Sequence, residues 1–237
     1  YGRWTYKFEE AARKGAAAAL IIHDTEGASY GWDVVKNSWS GPQYDLPAKD
    51  DPAPRVPAQG WITGEAATAL FKAAGQDLAK LRAAANKRGF KPVQLDASLS
   101  LALKSTSVEK ASRNVVGLLP GSETPDEAIV YMAHWDHLGT HDGETGDNIY
   151  NGAVDNATGV AAIMEIAESF RKAKVPPKRS ILFLAVTLEE SGLLGSKYYV
   201  AHPVIPLDKT VAVFNLYALS PVGKARDITV VGKGSSQ

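Results

Sequence analysis

Cysteine is absent from the 237-residue sequence, and methionine occurs only twice. Disulfides, iron–sulfur ligation and thiol catalysis are therefore excluded, while the compartment stays open, because a cysteine-free chain suits reducing and oxidising surroundings equally. An excess of charge of one sign is lacking too, since 26 basic residues stand against 26 acidic ones. With no dense Lys/Arg stripe to follow a phosphate backbone, nucleic acid is not an expected partner. Apolar runs such as Ala16 to Ile22 and Ile181 to Val186 fall well short of the ~20 residues that cross a bilayer, so no membrane span is expected. The chain opens at Tyr1 without a charged-then-apolar leader, which implies a signal peptide already removed or never included.

The length admits one large domain or two modest ones. Between Ala11 and Asp24 an Ala-rich helical segment leads into Ala16 to Ile22, a short apolar run suited to a buried strand. Ser38 to Pro57 is crowded with turn formers, including Gly41-Pro42 and Asp51-Pro52, and reads as an exposed loop. Thr63 can cap a helix carrying Ala66, Leu70, Phe71 and Ala74 up to Gly75, and a second helix is expected near Asp77 to Lys87. Alternation from Ser98 to Leu103 suggests a half-exposed strand, followed by a connector over Ser105 to Ser112. A domain boundary is expected there, giving domains of 1–108 and 109–237.

The second half differs in its patterning. Apolar runs at Val115 to Leu119, Ile129 to Ala133, Ile181 to Val186 and Val211 to Leu216 suit strands covered on both faces. Between them lies an amphipathic helix with Val160, Ile163, Met164, Ala167 and Phe170 on one face. The expected class is α/β, a mostly parallel sheet flanked by helices.

Ligands in open α/β sheets bind beyond the carboxyl ends of the strands. The residues at those ends are polar here: His134-Trp135-Asp136-His137 after one run, Thr187-Leu188-Glu189-Glu190 after another, and Asp155-Asn156 before the helix. Carboxylates with an imidazole describe a zinc or similar divalent site, and two metals sharing one carboxylate would sit roughly 3.5–4 Å apart. Asp155 is placed to be that shared ligand. Glu189 and Glu190 are adjacent and cannot both point at one atom, so one can bind metal while the other takes a proton from metal-activated water. Asp136 could hold the His134 imidazole through its second nitrogen. Asp155-Asn156 could also cap the following helix. Trp135 suits a pocket wall or a core aromatic equally. His23, His137, His141 and His202 have no motif supporting ligation and read as surface or loop residues.

Three stretches, Ala133 to Gly139, Asn151 to Gly159 and Leu188 to Ser196, resemble in order and spacing the co-catalytic di-zinc aminopeptidases related to bacterial leucyl aminopeptidase. The likeness covers about Asn114 to Gly232 and implies a zinc-exopeptidase, phosphorylase/hydrolase-like fold. It further implies that His134 is a ligand of the first zinc, Asp155 bridges both, Glu190 binds the second, Glu189 is the general base and Asp136 orients His134. Residues 1 to roughly 108 resemble, through Gly2-Arg3-Trp4 and Ala11 to Asp24, the smaller α+β protease-associated domain inserted in many members. The implied reaction is removal of the N-terminal residue from peptides with a free N-terminus through a two-zinc-activated water, in the periplasm or outside the cell.

The sequence departs from the family where Tyr217 stands at the position of a metal-binding Asp. A phenol, with an ordinary pKa of about 10, is a poor substitute for a carboxylate. The family's downstream His ligand has no counterpart before Gln237, implying that the catalytic domain continues beyond it. The resemblance thus leaves each zinc two protein ligands here, against the three of a catalytic zinc. Rival readings are a catalytically silent relative that binds peptides, a related zinc carboxypeptidase or glutaminyl cyclase, and an interaction module built around the protease-associated domain.

Overall fold

Gly15, at a φ of 74°, ends the first helix, α1 (Trp4–Arg13), and turns the chain into strand β1 (Ala18–Ile22). These are the opening elements of a computed structural model that describes residues 3–140, 145–220, 223, 224 and 226. Gly2 and His141 lie outside the described residues. The chain divides into two units, Tyr1–Gln43 with Pro52–Glu109 and Tyr44–Asp51 with Lys110–Gln237.

In the first unit β1 is followed by α2 (Thr25–Ala28), α3 (Trp32–Trp39), β2 (Ala58–Ile62), α4 (Gly64–Ala73) and α5 (Leu78–Ala85), and β1 pairs with β2 in parallel. Two helix starts follow from side chains that satisfy otherwise free amides. Thr63 Oγ1 accepts the Ala66 N–H at 3.1 Å, and Asp77 Oδ1 accepts the Lys80 N–H at 3.0 Å. Phe8, Val35, Val56 and Ala67 are buried, and Trp4 packs edge-on against Trp39 and Trp61. His23 lies in the loop after β1, within the surface-or-loop reading, but it is buried, with Tyr30, Trp32 and Trp61 around its ring.

The strand expected over Ser98 to Leu103 does not form. Alternation alone cannot hold a strand whose backbone groups find no partner strand. This segment runs irregularly, with Leu103 80% exposed.

The second unit is a mixed α/β layer. It comprises β3 (Val115–Leu119), β4 (Thr124–His134), a short ribbon of β5 (Gly139–Thr140) and β6 (Ile149–Tyr150), then α6 (Thr158–Lys172), β7 (Arg179–Val186), α7 (Leu194–Ala201) and β8 (Thr210–Asn215). The sheet order is β3-β7-β4-β8, with β4 parallel to both neighbours and β3 antiparallel to β7. The chain steps from β4 to β7 through α6, then back across β4 to β8 through α7. Right-handed crossovers in opposite directions put the two helices on opposite faces.

Residues of β4 and β7 alternate accordingly. Val130, Leu182, Leu184 and Val186 pack with Tyr199 of α7. On the other face Tyr131 and Phe183 pack with Phe170 of α6. Burial on both faces is confined to these two central strands. Val115, Val116 and Leu118 of β3 and Val211, Val213 and Phe214 of β8 are exposed, contrary to the expectation for all four runs, because edge strands have a neighbour on one side only. Met164 of α6, expected to face the core, is exposed as well. It borders an apolar groove of about 460 Å³ that Val115, Val160, Ile163, Phe183 and Trp135 also line. Among the described residues, no helix is long and apolar enough to cross a membrane.

Candidate active site

Because β4, β7 and β8 are parallel, their carboxyl ends share one edge of the sheet. His134 is the last residue of β4 and is only 1% exposed. Its ring is oriented by its own loop, since Nδ1 lies 3.0 Å from the main-chain carbonyl of Asp136. A donor role for Nδ1 leaves Nε2 as the free lone pair, the arrangement that suits a metal ligand. Sequence reasoning assigned this orienting contact to the Asp136 carboxylate, which instead sits 3.6 Å from Nδ1. That carboxylate accepts the Glu189 N–H at 3.1 Å and the Glu190 N–H at 3.4 Å, and so ties the loop after β4 to the loop after β7.

Asp155 lies beside the His134 imidazole. His134 Nε2 approaches Asp155 Oδ1 at 3.0 Å, yet both atoms are buried and neither makes a hydrogen bond. Buried polar atoms are nearly always paired, so two facing orphans of this kind call for a shared partner. A divalent cation meets that need, because an imidazole nitrogen and a carboxylate oxygen are both ordinary zinc ligands. One ligand atom from each of His137, Asp155 and Glu190 also lies within 4.8 Å of the others. The fit to a metal therefore rests on two buried atoms that face each other at ion-pair distance without forming a hydrogen bond.

The two glutamates diverge as adjacency requires. Glu189 Oε2 is 4.0 Å from His134 Nε2, while Glu190 Oε1 is 2.7 Å from His137 Nδ1. Left-handed backbone at Leu188, with a φ of 52°, swings the chain out of β7 just before them. Burial pushes the Glu189 carboxyl above the usual carboxylate range, His134 opposes this, and the carboxylates of Glu190, Asp136 and Asp155 reinforce it. A proton can thus reside on Glu189 more readily than on an exposed glutamate.

Tyr217 follows β8 and is 49% exposed. Its hydroxyl donates to Asp155 Oδ2 at 3.1 Å, and that hydrogen bond leads in pushing the phenol above its ordinary pKa. The side chain is therefore a neutral donor beside Asp155, a role opposite to that of an anionic ligand.

Two residues carry more of the site than sequence reasoning allowed. His137, read from sequence as a surface or loop residue, touches Glu190 directly. Asn156 is 2% exposed and clamps the start of α6 to the end of β8. Its Nδ2 donates to Leu216 O at 3.0 Å, while Oδ1 accepts the Gly159 N–H at 3.2 Å and the Ala218 N–H at 3.0 Å. It caps the helix, as the sequence allowed, but it also holds the Tyr217 segment. Gly159 leaves room for this clamp, for a Cβ there would run into the Asn156 side chain and the Leu216 carbonyl. His202 bonds Asp50 at 2.8 Å, away from the cluster.

The model of peptidase family M28 matches residues 114–237, beginning at Asn114 and taking in every residue of this cluster. The chain belongs to peptidase family M28. Over 112 residues this M28 chain is 31% identical to the aminopeptidase NAALADL1 of Mus musculus, covering 45% of the chain and 14% of that relative. It is 32% identical over 120 residues to the glutamate carboxypeptidase 2 homolog of Caenorhabditis elegans, covering 49% and 14% respectively. The crystal structure of BSAP, a zinc aminopeptidase from Bacillus subtilis, aligns at 29% identity and a TM-score of 0.37 over 44% of this chain and 24% of that one. The chain thus spans a minor part of the length of these relatives.

Proposed function

We propose that this chain carries the catalytic centre of a zinc aminopeptidase, with His134 and Asp155 holding one cation and Asp155 and Glu190 a second. The single observation behind this reading is the pair of buried, unbonded atoms, His134 Nε2 and Asp155 Oδ1, facing each other at 3.0 Å. The M28 match and the relative named as an aminopeptidase support the same conclusion. Zinc bound there would supply a Lewis acid for the scissile carbonyl and raise the acidity of water.

The chain's own groups supply proton transfer and orientation. Glu189, beside His134 and inclined to hold a proton, takes one from the attacking water and returns it to the departing amine. Asp136 fixes Glu189 and Glu190 through their amides. The free amino group of the substrate is attracted by the surrounding carboxylates. The first unit is assigned here to a protease-associated domain, on the motif likeness at its start. The Tyr217 hydrogen bond to Asp155 favours one second reading, a family member that binds peptides without cleaving them.

The test is hydrolysis of aminoacyl chromogenic amides in zinc, with N-blocked amides and C-terminal substrates as controls. Glu189→Gln should lower kcat by roughly 10²- to 10⁴-fold, the usual contribution of a general base, with zinc content unchanged. Loss of zinc in that variant would remove Glu189 from the role of base. Cleavage of only the C-terminal substrates would transfer the site to carboxypeptidase chemistry, as in the name of the Caenorhabditis elegans relative.

A further inference from the structure

We infer that Asn114 is a positioning residue for the reaction proposed above, bracketing both ends of the loop that carries Glu189 and Glu190; this rests on the zinc-peptidase reading. That loop follows β7 and runs into α7, with Thr187 and Gly195 at its base. The Gly195 N–H donates to the Thr187 carbonyl at 3.0 Å. The reciprocal pair, the Thr187 N–H and the Gly195 carbonyl, is joined through the Asn114 side chain. Its Oδ1 accepts the Thr187 N–H at 3.1 Å and its Nδ2 donates to the Gly195 carbonyl at 2.8 Å. A carboxamide suits this place because it holds an acceptor and a donor side by side, as a peptide group does. Between the two ends Leu188 and Leu193 both have left-handed backbone, with φ of 52° and 62°. Leucine keeps that conformation only where its surroundings impose it.

The segment around Asn114 reaches both sides of the site. Ser112 Oγ lies 2.7 Å from Thr187 Oγ1, and the Arg113 carbonyl accepts the indole N–H of Trp135, the residue after His134, at 3.1 Å. Asp136 pins the middle of the glutamate loop through the Glu189 and Glu190 amides, and Asn114 pins its base. Gly195 makes the close approach possible, for a Cβ there would strike both the Thr187 backbone and the Asn114 side chain. Asn114 thus bonds the main chain at the loop base, and its effect on the glutamates passes through the loop. Glu189, which moves the proton, and Glu190, which faces the cation, share one backbone path, so a shift at the base displaces both.

The alternative is a tie that serves stability alone, and three variants separate the two. Asn114→Ala removes both bonds; Asn114→Asp keeps an acceptor for the Thr187 N–H but has no N–H for the Gly195 carbonyl; Ser112→Ala removes only a contact to the Thr187 side chain. In steady-state hydrolysis of an aminoacyl amide with zinc, both Asn114 variants should lower kcat roughly 10- to 100-fold, the effect of a displaced catalytic group, with KM moving less than about threefold. Ser112→Ala should keep kcat within about threefold of wild type. Hydrogen exchange at the Glu189 and Glu190 amides, read without substrate, should lose roughly tenfold or more of its protection in both Asn114 variants and keep it in Ser112→Ala. A wild-type kcat in either Asn114 variant, a change confined to KM, an equal loss in Ser112→Ala or unchanged exchange at the two amides would overturn the assignment. Circular dichroism identifies a variant that fails to fold, and Asn114→Asp, of nearly the same size, carries the comparison if Asn114→Ala does so. A wild-type chain that neither binds zinc nor cleaves would instead refute the zinc-peptidase reading, and the exchange measurement would still decide whether Asn114 holds the loop.

Discussion

Replacing Asn156 with Ala should cost the second unit about 3 kcal/mol. The side chain is buried and serves three main-chain groups, the Gly159 and Ala218 amides and the Leu216 carbonyl. Each buried group left unpaired costs about 1–3 kcal/mol, and the three losses do not add, because both amides lean on one oxygen and water can enter the space vacated. Thr158→Ala is the control, since its hydroxyl accepts the Leu219 N–H at 3.1 Å near the surface and its removal should cost about 1 kcal/mol or less. Global unfolding would blend two units, so the measurement must be local. Native-state hydrogen exchange at the Gly159 and Ala218 amides serves this purpose. If both open locally, 3 kcal/mol appears as roughly a 150-fold loss of protection. Protection in Asn156→Ala within about threefold of wild type would refute the claim that this clamp joins α6 to the end of β8.

Tyr217→Asp should tighten zinc binding by at least about tenfold, because it replaces a neutral donor to Asp155 with a carboxylate, whereas Tyr217→Phe should change it less; isothermal titration of metal-free protein separates the two. Gly195→Ala should destabilise the second unit by about 1–3 kcal/mol, since a Cβ would strike the Thr187 backbone and the Asn114 side chain, and the shift in thermal midpoint checks it.

The central strands were legible because β4 and β7 are buried on both faces and so carry unbroken apolar runs ending in polar residues. The edge strands β3 and β8 share that apolar pattern yet stay exposed, a distinction that periodicity cannot express. Ser98 to Leu103 failed for a related reason: alternation records which side chains are apolar, but a strand also needs a partner for its backbone. At the site, residues in spaced motifs could be singled out from the chain alone. The contacts of His137 and Asn156 could not, since both depend on partners 53 and 60 residues away in sequence. The sole available signals were that His137 lies three residues after His134, and that Asn156 adjoins Asp155 at a helix start.

The central claim, that cations join His134 to Asp155 and Asp155 to Glu190, is tested most directly by anomalous diffraction at the zinc edge from crystals grown with zinc. The account predicts one peak within about 2.0–2.2 Å of both His134 Nε2 and an Asp155 oxygen, and a second beside the other Asp155 oxygen and Glu190. A map with no peak between His134 and Asp155, at full zinc saturation, would contradict it.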